Sequence, residues 1–184
     1  IGDLLEALSQ SGKRKNTLVI YMGDHGADLL RGKRTSYEGG VRVPLMLQWP
    51  GKEGFDKSVR SELVSTLDLM PTILSAAKAT LPMGLPGKSL IPMLRGRVKD
   101  WRKHLFTEFH LHSAHNFYPQ RTIRGERFKL IQNLYPGLVN PGYDFTMNRF
   151  FDGLQKTVTE NKNVRDAYSL MRRPPKFELY DLNN

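Results

Sequence analysis

Apolar residues recur at helical spacing from the first residue. Ile1, Leu4, Leu5 and Leu8 share one face, so residues 1–9 are expected as a helix closed by Gly12 and the run Lys13-Arg14-Lys15. The texture then becomes continuously apolar. Residues 17–22 (TLVIYM) and 43–49 (VPLMLQW) predict two short strands of the kind buried on both faces in an α/β sheet. Helical spacing returns in Leu63, Leu67, Met70, Ile73 and Leu74, with Pro71 confining the regular helix to the later part of residues 62–77. Strand, loop, strand and helix in this order make the first half α/β.

Residues 81–99 are rich in Pro and Gly and are expected to cross the surface to a second, antiparallel unit. There Phe106, Glu108, His110 and His112 alternate with Thr107, Phe109 and Leu111, the period of a strand. Residues 121–124 and 127–134 flank Gly125-Glu126, a Gly-first pair suited to a type II′ hairpin. Residues 136–141 form a turn-rich break, residues 144–171 suggest one or two short helices, and residues 176–182 read as a last strand.

Composition changes this picture in two ways. The chain of 184 residues has no cysteine, which removes disulfides, thiolate metal sites and cysteine nucleophiles together. Lys and Arg number 28 against 18 acidic residues, a net charge of +10. The excess is spread evenly on both sides of residue 100, as expected for a folded body facing a polyanion rather than for a basic tail. A basic surface with no special partner is equally consistent with the charge alone. No apolar run approaches the roughly 20 residues of a membrane span, and no nucleic-acid-binding module is recognisable.

Candidate chemistry begins where the first strand ends, at Asp24-His25. A carboxylate and an imidazole at the carboxyl edge of a strand are both metal-ligand types, placed where open α/β sheets hold ligands. Two side chains do not complete a coordination shell, so a metal here needs further ligands. The loop that follows, residues 31–40 (RGKRTSYEGG), is basic and glycine-flanked, and Lys33 can bring a compact positive charge to an oxyanion. Taken alone it is a solvated basic turn; beside Asp24-His25, a cation and a lysine together suit a sulfate or phosphate ester. A third group, Glu108, His110, His112 and His115 with Arg121, Arg124 and Arg127, is read as a polar strand face at a cleft rim or as a charge-protected edge.

TLVIYMGDHG at 17–26, GKRTSYEGGVRVPLMLQWPG at 32–51 and STLDLMPTIL at 65–74 together resemble the latter part of a sulfatase of the alkaline-phosphatase superfamily. GKSLIPML at 87–94, YPQRTIRGERFKLIQNL at 118–134 and FELYDLNN at 177–184 are similar to the carboxyl-terminal subdomain of those enzymes. A His-containing stretch before a YP-x-R segment, with a basic strand after it, places the resemblance nearest the heparan N-sulfatases, or sulfamidases. The fold implied is the C-terminal part of an alkaline-phosphatase-like α/β sandwich over residues 1–100, followed by a smaller antiparallel-sheet α+β subdomain over 101–184.

The resemblance further implies hydrolysis of sulfate esters or sulfamates by a formylglycine nucleophile and a divalent cation, usually Ca²⁺. Asp24 and His25 match the family's metal ligands and Lys33 its sulfate-contacting lysine; by looser analogy His112 and Arg124 lie near the substrate sugar. Formylglycine is made from Cys or Ser in a C/S-x-P-x-R segment, which this chain lacks, so nucleophile and remaining ligands are expected upstream and the isolated segment is expected to be inactive. Sulfated carbohydrate is the implied partner, and an exported setting (periplasmic, secreted or lysosomal) the implied location. Two alternatives stand beside this reading: a phosphoester or phosphonate hydrolase on the same scaffold, and a non-catalytic binder of sulfated glycans.

Overall fold

The computed structural model describes residues 1–112, 117–140 and 148–183. The chain divides into two compact units, one formed by Ile1–Met22 with Pro44–Lys103 and the other by Gly23–Val43 with His104–Asn184.

In the first unit, helix α1 (Gly2–Gln10) forms as its periodicity predicts, yet none of its residues is buried. Strands β1 (Val19–Met22) and β2 (Leu45–Gln48) pair antiparallel, with Tyr21 opposite Met46. Their apolar runs predicted burial on both faces, but Tyr21 and Met46 are exposed. Among the described residues β1 and β2 pair only with each other, so no further strand shields these side chains. Helix α3 (Leu69–Ala76) starts seven residues later than the periodic stretch, after a 3₁₀ turn at Thr66–Asp68. Pro71 sits in its first turn, where no helical acceptor exists for a backbone N–H. The Pro- and Gly-rich stretch from 81 to 99 is more than a crossing. It holds helix α4 (Leu90–Leu94), capped by Ser89, whose Leu90, Ile91 and Met93 are buried.

Asp68 organises this unit. Its fully buried carboxylate accepts from the Ser65 amide at 2.8 Å, the Lys88 amide at 2.8 Å and both Arg102 terminal nitrogens at 2.5 and 2.6 Å. One buried charge thereby ties together the start of the 3₁₀ turn, the approach to α4 and the unit's last residues. Thr72 adds a second tie, its hydroxyl accepting from the Leu90 amide at 2.8 Å.

The second unit is built on a four-stranded antiparallel meander, β3 (Leu105–Leu111), β4 (Phe117–Arg124), β5 (Phe128–Asn133) and β6 (Phe177–Asp181). The β4–β5 turn is displaced by one residue from expectation. The Gly125 amide donates to the Phe128 carbonyl at 2.8 Å, so Glu126-Arg127 form the two-residue tip and Gly125, without a left-handed φ, flanks it. Helices α5 (Asn148–Glu160) and α6 (Lys162–Arg172) fill most of the stretch read as one or two short helices. Asn161 caps α6 by accepting from the amides of Asn163 and Val164.

The two faces of this sheet invert the usual pattern. Register aligns Phe106, Ile123, Leu130 and Leu179 across all four strands on one face, and there Phe106 is 74% and Leu179 68% exposed. The opposite face buries polar side chains: Gln120, Thr122, Lys129, Asn133 and Glu178. Onto these polar residues docks the segment Gly23–Val43, carrying the short helix α2 (Glu38–Val41).

Two of the contacts are strongly polar. Glu178, 6% exposed, accepts from the Tyr37 hydroxyl at 3.0 and 2.9 Å, the Tyr180 hydroxyl at 2.5 Å and the Asn133 amide at 2.9 Å. The chain of bonds continues from Asn133 to Gln120 at 2.8 Å and from Gln120 to the Ser36 amide at 3.2 Å. Beside it the buried Lys129 ammonium donates to Glu38 at 2.9 Å. Burial lowers the Lys129 pKa against the pull of Glu38. Burial, then the Glu178 charge, raises the Tyr37 hydroxyl far above its ordinary range; burial first also pushes Tyr180 and Tyr118 up to about 12.

Two predictions follow from these buried groups. Replacing Arg102 by Ala leaves the Asp68 carboxylate buried without its counter-charge. Urea unfolding is expected to show a loss of about 3–5 kcal/mol in the first unit; a loss under about 1 kcal/mol would mean the pair contributes little. In the second unit the raised tyrosines keep their protons in the folded state at pH values where the unfolded chain has lost them. That stability is complete below pH 10 and is lost as pH rises from 10 through about 12. Absorbance at the tyrosinate band should show Tyr37, Tyr118 and Tyr180, three of the seven tyrosines, resisting ionisation at about pH 11. Simultaneous ionisation of all seven near pH 10 would contradict the buried network.

Candidate functional site

Asp24, His25 and Lys33 all lie on the docked segment of the second unit. The segment is closed on itself by backbone contacts. The Gly26 amide donates to the Gly40 carbonyl at 3.0 Å and the Lys33 amide to the Ala27 carbonyl at 2.8 Å. A Cβ on Gly26 would lie 1.7 Å from the Gly39 carbonyl oxygen, and one on Gly40 would lie 2.4 Å from that of Gly32. Only glycine permits this approach. The glycines in GDHG and YEGG therefore close a ring of backbone from which the site side chains project. Arg34 adds an ion pair to Asp28, and the Thr35 hydroxyl donates to the Gly32 carbonyl at 2.7 Å.

Asp24 and His25 touch each other. Asp24, its side chain 87% exposed, accepts from the His25 amide at 3.0 Å through Oδ1, while its Oδ2 lies 3.4 Å from His25 Nε2. His25 Nδ1 is 2.8 Å from the Gly26 carbonyl. A carbonyl only accepts, so Nδ1 carries the proton in that contact and Nε2 of a neutral ring presents a lone pair toward the carboxylate. Both side chains are open to solvent, and a cation held between these two electron-rich atoms would satisfy both. This donor pair, an exposed carboxylate oxygen and an imidazole whose other nitrogen is fixed by a carbonyl, fits a metal ion in chemistry. It does not fit in number: among the described residues no group of three His, Cys, Asp or Glu is gathered to hold one.

Lys33 is half-buried, and its ammonium makes no hydrogen bond or ion pair with a described residue. It is thereby left available for an anion. Arg124 is held by protein groups. Its guanidinium lies 3.5 Å from Glu38 and donates to the Gly125 carbonyl at 2.8 Å, so it shares Glu38 with Lys129. His112 is exposed just beyond a register shift between Phe109 and Leu111 that interrupts the strand alternation. It is not brought into contact with Asp24, His25 or Lys33. Before that shift Glu108 meets His110 at 3.2 Å and its cross-strand partner Arg121 at 3.9 Å, an exposed ladder on the outer face. His115 lies outside the described residues.

The residues that hold the site were not identified from sequence. Glu178, Tyr37, Glu38 and Lys129 lie within the quoted stretches, but no role was assigned to them there. Their one signal is that Lys129 and Glu178 fall on the same alternate face as Ile131 once the strands are in register, a face that must be either solvated or satisfied internally.

The comparisons with known proteins agree with this architecture. A family model described as N-sulphoglucosamine sulphohydrolase, C-terminal, matches residues 23–169 and so begins at the turn that carries Asp24. Human arylsulfatase A is 40% identical over 119 residues, covering 58% of this chain and 23% of that protein. Human N-sulphoglucosamine sulphohydrolase is 29% identical over 197 aligned positions, covering 98% of this chain and 38% of that protein. The structure of a putative sulfatase from Bacteroides thetaiotaomicron superposes with a TM-score of 0.64 at 26% identity, over 94% of this chain and 40% of that one. The chain thus spans less than half the length of each. The fold is that of the C-terminal part of an alkaline-phosphatase-like sulfatase, mixed helix and antiparallel sheet. With its match running from the Asp24 turn to the last turn of α6, the chain belongs to the N-sulphoglucosamine sulphohydrolase C-terminal family of sulfatases.

Proposed function

We propose that the protein containing this chain is a sulfatase that hydrolyses sulfate esters or sulfamates of carbohydrate, with an N-sulfated glucosamine unit as the favoured substrate. The observation that carries the proposal is the backbone-closed segment that presents Asp24 against His25 and leaves the Lys33 ammonium without a partner among the described residues. A site built for an anionic ester needs both features, a cation-binding pair and a separate fixed positive charge. The relatives support the substrate class through their names, N-sulphoglucosamine sulphohydrolase and arylsulfatase. The net charge of +10 favours an anionic glycan over a neutral one.

Each group has a task in this proposal. Asp24 Oδ2 and His25 Nε2 hold the divalent cation, Ca²⁺ by the family resemblance, with the remaining ligands from outside this chain. Such a cation, when bound, supplies positive charge to the sulfate oxygens as charge builds in the transition state. Lys33 directs its ammonium at another sulfate oxygen, and its half-buried stem keeps that charge in one place. The Gly26 carbonyl holds the imidazole of His25 in one tautomer. His112 and Arg124 enter only as rim groups toward the sugar, and Arg124 acts there chiefly by holding Glu38. The chain has no cysteine and no serine in an S-x-P-x-R segment, so formylglycine does not fit any residue here and no step is assigned to it. An exported or lysosomal setting goes with the same proposal. Among the described residues no helix is long and apolar enough to cross a membrane.

The test is ion chromatography of sulfate released by the intact protein from N-sulfated glucosamine, an O-sulfated sugar and an aryl sulfate, with the alcohol released from a phosphonate monoester followed in parallel. Sulfate release from the N-sulfated sugar is expected. Turnover of the phosphonate alone would move the protein to phosphoryl chemistry, and salt-sensitive heparin retention without hydrolysis would make it a glycan binder.

Lys33→Ala is expected to lower kcat/KM by about 10²–10³, the usual effect of removing one charge-stabilising donor. Lys33→Arg should restore only part of this, because a planar fork does not replace a point charge. Wild-type activity in Lys33→Ala would remove Lys33 from the site. Excess Ca²⁺ should raise the melting temperature of the intact protein, and Asp24→Asn should reduce that rise. An equal rise in both proteins would place the cation elsewhere.

A further inference from the structure

Between Gly23 and Tyr37 the site segment has no helix or strand, and Arg31 and Arg34 hold left-handed φ values of 57° and 69°. In each such non-glycine residue the Cβ crowds the following carbonyl oxygen, so the segment keeps one shape only where its surroundings over-determine it. Its backbone hydrogen bonds close the ring locally but do not fix it on the body of the unit. That attachment comes through Glu38, which meets Lys129 and Arg124, and, nearer to Lys33, through Ser36 and Tyr37, three and four residues after it. The Ser36 amide reaches Gln120 at 3.2 Å, Gln120 reaches Asn133 at 2.8 Å, Asn133 reaches Glu178 at 2.9 Å, and the Tyr37 hydroxyl reaches Glu178 at 2.9 Å. The bonds form a circuit that leaves the segment at one residue and returns to it at the next.

We infer that Glu178 is the positioning residue for Lys33: a buried carboxylate on the last strand that acts through Tyr37, Asn133 and Gln120 to hold the site segment against the sheet. The task given to Lys33 rests on the sulfatase proposal; the clamp is a property of the folded chain and stands apart from it. Three observations favour a clamp over ordinary core packing. A buried carboxylate is a costly way to fill space, and an apolar side chain of similar size would serve packing alone as well or better. The hydrogen bonds gathered on it come from neutral donors, two phenols and one amide, which tie it to the site segment, to its own strand and to β5. The Arg31 guanidinium lies 5.1 Å over the Tyr37 ring and 5.7 Å over the Tyr180 ring, so the segment's own cation covers the two rings whose hydroxyls hold Glu178. From Tyr37 the constraint runs back toward Lys33 through Thr35, whose hydroxyl accepts from the Tyr37 amide at 3.4 Å and donates to the Gly32 carbonyl at 2.7 Å.

The experiment compares Glu178→Gln, Tyr37→Phe and the control Ile123→Val in the intact protein. Glu178→Gln keeps the size but turns one acceptor into a donor facing a phenol; Tyr37→Phe removes one bond and tests the same clamp if the first variant does not fold. Ile123→Val weakens the same sheet on its opposite face, where Ile123 is half-buried between Phe106 and Leu130. Hydrogen exchange at the Lys33 and Ser36 amides is expected to quicken about tenfold in Glu178→Gln and Tyr37→Phe while that of Ile123 does not change. For sulfate release, kcat should fall about tenfold or more with KM within about twofold, because a misplaced charge is felt most in the transition state. Ile123→Val should leave both the Lys33 exchange and kcat at wild-type values. Wild-type exchange at Lys33 in both clamp variants, or an equal fall of kcat in Ile123→Val, would overturn the inference. Should the unsubstituted protein release no sulfate from any substrate, the sulfatase proposal fails, and the exchange comparison by itself decides for or against the clamp.

Discussion

A carboxylate removed from water must be met by donors, and the second unit is arranged around that requirement. Glu178 is buried on the polar face of the sheet, and the groups that satisfy it come from the site segment, from β5 and from its own strand. Leaving any one of them out strands a charge in a poor dielectric, so the unit closes with all of them or pays heavily. The Lys129–Glu38 contact repeats the rule with opposite sign a short distance along the same face. These two buried charges make the sheet's polar side its interior side and leave Phe106 and Leu179 facing outward.

This inversion explains why parts of the fold were legible and the support of the site was not. Strand and helix positions follow from spacing, and β3, β6, α1 and α3 appear where period two or three-to-four repeats predict them. What spacing does not carry is which face of a strand turns inward. In F-E-L-Y-D at 177–181 hydropathy alone would bury Phe177 and Leu179, whereas the structure buries Glu178 because distant partners satisfy it. The β4–β5 turn shifted by one residue for a similar reason: a glycine is permitted at a turn tip but is not required there. Helix α4 was hidden in a Pro- and Gly-rich stretch because its existence depends on Leu90, Ile91 and Met93 finding a core, and only the packed unit shows one.

The site divides along the same line. Asp24, His25 and Lys33 were visible because strand end, ligand chemistry and basic loop adjoin in sequence, and the structure adds the Asp24–His25 contact and the backbone ring that fixes it. Arg124 was visible as a charge but its partner Glu38 was not, since the two are far apart in the chain and meet only through docking. The result is a segment whose reactive groups are exposed and whose anchoring groups are buried. Exposed acceptors and an ammonium without a partner among the described residues would give a cation and an anion somewhere to bind, and in the proposed clamp the buried circuit holds those groups in place.

The most direct measurement is a crystal structure of the intact protein grown with Ca²⁺ and an N-sulfated glucosamine. The account predicts the cation bound by Asp24 Oδ2 and His25 Nε2, the Lys33 ammonium within hydrogen-bond distance of a sulfate oxygen, and Tyr37 still bonded to Glu178. A cation held elsewhere with Asp24 and His25 unliganded, or a sulfate bound away from Lys33, would contradict it.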